Sequence, residues 1–132
     1  MDVHVYIGVT ELQRGIEFYT QGLGLRLRRR LAANWVELEG ASVPIFLLVS
    51  DRPRDFSGPW TVHLDFMTDD LEAAVRQAQD AGAVLQRAIQ QRKWGSMANM
   101  ADPFGNSFDL IAFAPGGYEN ISPLGSQEAL PG

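Results

Sequence analysis

The sequence predicts an α+β fold built from two tandem βαβββ modules, and three observations predict it. The chain repeats itself once, since Val3 through Leu12 lies over Val62 through Leu71 at an offset of 59 residues. The histidines coincide in that overlay, as do Val3 with Val62 and Leu12 with Leu71. Each copy then passes from a strand of period two into a stretch of helical period. Three short strand candidates follow each helix, bounded by Gly, Pro, Asp and Asn, the residues that turns require.

In the first copy the strand is followed by Thr10 as N-cap, with Gln13 three residues on to complete a capping box. Leu12, Ile16, Tyr19 and Leu23 recur at helical spacing, and Gly22 and Gly24 end the helix. Strands are expected over 25–31, 34–39 and 43–49. In the second copy Asp69 and Glu72 form the box, and Leu71, Ala74, Val75 and Ala78 the apolar stripe, with Gly82 as the stop. Strands are expected over 83–89, 94–100 and 107–113, the last two separated by the turn Asp102-Pro103-Phe104-Gly105-Asn106. Module one therefore spans about 2–50 and module two about 60–113. A polar linker rich in Pro, Arg and Asp fills 51–59, and an irregular tail rich in Gly and Pro runs over 114–132. All of it forms one domain of 132 residues, a length that buries enough core without disulfides.

Composition removes several function classes. There is no cysteine, so thiolate chemistry and Cys-ligated zinc are out, and the chain suits a cytoplasmic setting. The start of the chain has neither a basic leader nor an apolar run of signal-peptide length. No stretch approaches a membrane span. A net charge of −5 makes nucleic acid a poor partner and would suit a cationic ligand.

Alternation sorts the strand residues onto two faces. Val3, Val5, Ile7 and Val9 face the first helix, which turns His4 and Tyr6 the other way. In the second copy Val62, Leu64 and Phe66 face the helix, while His63 and Asp65 turn away. Phe108 and Leu110 belong to the helix side of the last strand and leave Asp109 and Ile111 opposite. Trp35, Glu37 and Glu39 alternate with Val36 and Leu38 in the same way. The result is a half-open cavity with an apolar back and a front of His, Asp, Glu and Trp. Both histidines of the chain sit at the repeat-equivalent, cavity-facing position, which suits a metal pair. Against that stands the simpler reading, one structural His kept in each copy of a duplicated module. Tyr6, Trp35, Glu37, Phe46 and Trp94 are the candidates for contact with a small-molecule ligand. Glu37 has the competing role of pairing with Arg26, Arg28 or Arg30 across a hairpin. That arginine cluster reads as charge that blunts an edge strand.

The stretches "HVYIGVTELQRGIEFYTQGLGL", "HLDFMTDDLEAAVRQAQDAGA" and "DPFGNSFDLI" resemble the two halves of a vicinal oxygen chelate protein. That superfamily includes glyoxalase I, extradiol dioxygenases, fosfomycin resistance transferases and bleomycin resistance proteins. The resemblance implies helices on the outer faces of curved sheets that surround a cavity. It implies a divalent metal such as Fe(II), Mn(II) or Zn(II) on His4, His63 and Asp109, and no organic cofactor. Asp109 stands where Glu is usual, about 1.5 Å shorter in reach. Phe46 stands where glyoxalase I-like members place a fourth ligand. The function implied is a metal-dependent enzyme acting on a small oxygenated molecule. The alternative is a metal-free protein that sequesters a drug or metabolite, as bleomycin resistance proteins do. A homodimer is implied as well, because such modules complete their cavities by pairing. The sequence assigns no catalytic residue.

Overall fold

A computed structural model describes residues 1–50 and 62–121. The expected linker, together with Trp60, and the tail beyond Ile121 lie outside the described residues. Module one contains β1 (Val5–Val9), α1 (Leu12–Glu17), β2 (Arg26–Ala32), β3 (Trp35–Glu39) and β4 (Ile45–Val49). Module two contains β5 (Leu64–Met67), α2 (Leu71–Asp80), β6 (Val84–Leu85), β7 (Gln90–Arg92), β8 (Gly95–Ala101) and β9 (Ser107–Phe113). The sheets run β1-β4-β3-β2 and β5-β9-β8-β6, with β7 beside β8. In each, the first strand lies parallel to the last while the other pairings are antiparallel. The same topology appears twice, so the repeat read in the sequence is a repeat of βαβββ structure.

The helices depart from the expected caps. α1 starts after Glu11, which makes no side-chain cap, so the Thr10–Gln13 box does not form. α2 is capped by Asp70 rather than Asp69, its carboxylate accepting from Ala73 N at 3.1 Å. Both residues can cap, and the chain uses the one whose backbone is extended where the helix begins. After α1 comes a π-helical turn, Phe18–Gly22. Its wider winding lets the neighbours Phe18 and Tyr19 both bury, where an α-helical stripe predicts Tyr19 alone. Of the strand expected over 83–89 only the two-residue β6 forms, and β7 follows just beyond that range, both pairing with β8.

The helix-facing sides of both sheets feed one continuous core. Ile7, Val9, Ile16, Phe18, Val36, Leu38 and Leu47 from module one meet Leu71, Val75, Ala78, Met100, Phe108 and Leu110 from module two. Polar bonds also join the modules. Tyr19 Oη donates to Asp102 Oδ2 at 2.6 Å, and Asn106 Nδ2 donates to the Gly8 carbonyl at 3.0 Å. Asp102 also accepts from the backbone amides of Phe104 and Asn106, so one buried carboxylate organises the turn expected at 102–106. With their backs in the core, the sheets leave their opposite faces for chemistry.

Candidate metal centre and cavity wall

On the front of the second sheet, period-two alternation and register bring three ligand-bearing side chains together. His63 immediately precedes β5, Asp65 lies two residues on and so shares its face, and Asp65 pairs with Asp109 across the parallel ladder. His63 Nε2 lies 3.0 Å from Asp65 Oδ1 and 3.3 Å from Asp109 Oδ2. The three ligand atoms all lie within 4.8 Å of one another. Asp65 Oδ1 and Asp109 Oδ2 are buried, and among the described residues their close polar neighbours are His63 and each other's carboxylate. Burial first, and the Asp109 charge second, hold the Asp65 carboxyl above its ordinary value of 3.8, with His63 opposing them.

This donor set fits a divalent cation. Two cis ligands of an octahedral ion, each about 2.1 Å from the metal, sit about 3 Å apart. The two imidazole–carboxylate separations match that edge, while the group as a whole spans up to 4.8 Å and would have to close slightly around an ion. Two buried carboxylates that share a single imidazole leave a surplus of negative charge that a cation would satisfy. One nitrogen with two oxygens is a harder set than two nitrogens with one oxygen, which suits Mn(II) or Fe(II) better than softer ions.

Of the residues expected to hold a metal, the fold brings His63 and Asp109 together. His4 stands outside the group. It occupies the equivalent position before β1, but its exposed imidazole packs against Phe46 with ring centres 4.9 Å apart. Asp65 takes the third place instead. The sequence placed it on the right face, but the family overlay directed attention to His4.

Next to the cluster is an apolar floor. Trp94, Met97 and Ile111 bury together, and Ile121 packs on them. Ile111 is two residues from Asp109 on the same face of β9. Tyr118, on the short 3-10 turn Gly117–Asn120, lies against Trp94 and Phe113 at ring-centre distances of 5.3 and 4.9 Å. Its hydroxyl is held protonated above its usual range, by burial first and then by the charges of Asp65 and Asp109. The start of the C-terminal extension, irregular by its Gly and Pro content, therefore lies over this face.

The front of the first sheet collects four of the five predicted ligand contacts. Tyr6 and Phe46 are register partners and stack, 4.8 Å apart and 8° from parallel. Glu37 pairs with Phe46 across β3–β4, and Trp35 pairs with Leu48. Glu37 is held by Arg29 at 3.1 Å and Arg28 at 3.4 Å, the hairpin pairing that was its competing role. A bulge between Leu27 and Arg29 adds Arg29 to the arginines expected there. Trp94, the fifth, sits in the turn between β7 and β8 of the other sheet and is only 1% exposed, so it is floor rather than wall.

The glyoxalase-like domain family matches residues 4–111, both modules in order. The chain belongs to that family. Its fold is similar to a glyoxalase/bleomycin resistance protein/dioxygenase family enzyme from Burkholderia phytofirmans PsJN, at 21% identity and a TM-score of 0.72. That match covers 86% of this chain and 100% of the other. TioX from Micromonospora sp. ML1 is similar at 16% identity and TM-score 0.68, covering 86% and 99%. Lactoylglutathione lyase from Agrobacterium tumefaciens is similar at 15% identity and TM-score 0.63, covering 85% and 92%. No curated protein matches the chain. At these identities the likeness establishes the glyoxalase-like fold and leaves the chemistry to the site.

Proposed function

We propose that this glyoxalase-like protein is a divalent-metal-dependent enzyme acting on a small oxygenated molecule. The observation that carries the reading is the convergence of His63 Nε2 on the buried carboxylate oxygens of Asp65 and Asp109, two acids brought together with one imidazole between them. His63, Asp65 and Asp109 would hold the ion on one side and leave positions opposite for substrate oxygens and water. Mn(II) or Fe(II) suits the donors best, with Zn(II) third. When bound, the ion supplies Lewis acidity toward a carbonyl or hydroxyl oxygen. The chain's own residues do the rest. Trp94, Met97 and Ile111 exclude water from one side, and the Tyr118 hydroxyl, kept protonated, donates to a substrate oxygen.

His4 keeps a place in this proposal through a second copy of the chain. Members of the superfamily pair their modules within or between chains, and exposed Tyr6, Leu48, Met67 and Phe113 supply apolar surface for association. A homodimer would offer the cluster a His4 imidazole from the partner. Among the described residues no helix is long and apolar enough to cross a membrane, and a cytoplasmic enzyme is the setting we propose.

One observation favours the second reading, metal-free sequestration of a planar ligand. The Tyr6–Phe46 stack presents an aromatic face, and Tyr6 is 51% exposed. Against a cationic ligand, Glu37 is already neutralised by two arginines. Elemental analysis of the purified protein, followed by Mn(II) titration of the wild type and of His63→Ala, separates the two readings. Saturable uptake that His63→Ala abolishes is expected. Equal, absent uptake in both at millimolar Mn(II) and neutral pH transfers the proposal to sequestration.

A further inference from the structure

A series of side-chain hydrogen bonds runs across the front of the second sheet and ends on Asp109. Arg92 Nη2 donates to Gln90 Oε1 at 2.7 Å, Gln90 Nε2 to Asn99 Oδ1 at 2.7 Å, and Asn99 Nδ2 to Asp109 Oδ1 at 2.8 Å. Its direction is fixed at the start, because a guanidinium can only donate. Gln90 must therefore turn its carbonyl toward Arg92 and its NH2 toward Asn99. Asn99 is set in the same sense and presents only its NH2 to the carboxylate. Asn99 is 3% exposed and Asp109 4%, so the last bond lies in a dry environment where such dipoles reinforce one another.

We propose that Asn99 is a positioning residue for the metal centre, held in orientation by Gln90 and Arg92. It occupies Asp109 Oδ1 and aims Oδ2 at His63. This assignment rests on the metal-dependent reading above. In that role Asn99 fixes which oxygen of Asp109 serves the ion and the plane in which the carboxylate lies. The strand register that pairs Asn99 with Asp109 makes the contact a product of the sheet itself. Arg92 acts at two removes, so its effect is smaller and has the same sign.

The test uses full-length protein, with Mn(II) as probe, in wild type, Asn99→Leu and Arg92→Met. Calorimetric titration reads affinity, and the Asp109 carboxyl 13C shift of the metal-free proteins reads the orientation of that group. Asn99→Leu is expected to weaken Mn(II) binding by about 10- to 100-fold, the usual consequence of losing a partner of a ligand. Arg92→Met is expected to weaken it less, and both are expected to shift the Asp109 carbon. Wild-type Mn(II) affinity in both variants overturns the proposal, and so does a lowered unfolding temperature with unchanged affinity. If Asn99→Leu does not fold, half-buried Arg92→Met decides alone. A wild type that takes up no Mn(II) removes the metal reading instead. The carbon shift then decides the positioning role, which an unmoved Asp109 signal in Arg92→Met and Asn99→Leu would sink.

Discussion

At the residue scale, the cluster on the second sheet sets stability against the function proposed for it. Asp65 holds its proton to higher pH in the folded state than in the unfolded chain, where 3.8 is the ordinary value. Native protein therefore binds more protons across that interval, and stability falls as pH rises through it. Above the folded value the cost is constant. Asp65→Asn is accordingly expected to raise the melting temperature of metal-free protein at neutral pH. The gain is expected to fade as pH falls toward 3.8, and melting curves at several pH values check it. The same substitution removes a proposed ligand, so Mn(II) affinity is expected to drop while stability rises, a common pattern at functional sites. Asp109→Glu adds a carbon where Asn99 already fixes the shorter side chain, and calorimetry is expected to show weaker Mn(II) binding. His63 and Asp109 were legible as candidate ligands because duplication placed the histidines in register and the overlay supplied the carboxylate. Asp65 was legible only as a residue on the same face. Its role depends on which strand lies beside β5, and alternation says nothing of neighbours.

At the element scale, two local features carry testable weight. The N-cap of α2 is a single side-chain bond from Asp70, and Asp70→Ala is expected to cost about 0.5–2 kcal/mol in denaturant unfolding. Asp69→Ala, the cap expected from sequence, should cost less than Asp70→Ala in the same experiment. Gly95 opens β8 with φ of 155°, and a Cβ there would meet the Ala112 carbonyl oxygen and come within 2.9 Å of Phe113 Cα. Since backbone cannot yield as a side-chain tip does, Gly95→Ala is expected to destabilise strongly or prevent folding. The readout is soluble yield and melting temperature. Strand positions were recovered closely from alternation, β9 to the residue. Caps slipped by one because Asp69 and Asp70 are equally competent in sequence. The π-helical turn left no sign beyond two adjacent aromatics, and only tertiary contacts give both a reason to bury, Phe18 against Phe108 and Tyr19 through Asp102.

At the scale of the whole molecule, the modules are joined by a shared core and by the buried Tyr19–Asp102 and Asn106–Gly8 bonds. Tyr19→Phe leaves Asp102 short of one donor and is expected to cost about 1.5–3 kcal/mol, the range for a bond to a charged group. Denaturant unfolding should show one transition displaced to lower midpoint. Two separate transitions would mean that the modules do not fold as one unit. The repeat, the two sheet faces and most of the back-face core were determined by sequence, because period and duplication are properties of the chain in one dimension. Val3 and Val62, expected to face the helices, precede their strands and are exposed. Family membership followed from the same patterns. What the tertiary structure decided was adjacency. It set β9 beside β5 and β8 beside β9, so that Asp65 and Asn99 came to flank Asp109. It also folded the first residues of the C-terminal extension back, so that Tyr118 came to rest on Trp94. His4 and the His63 cluster ended on different sheets for the same reason. Equivalent positions in a repeat share a local environment, but whether they meet depends on how the copies dock, and that is decided by packing across the whole molecule.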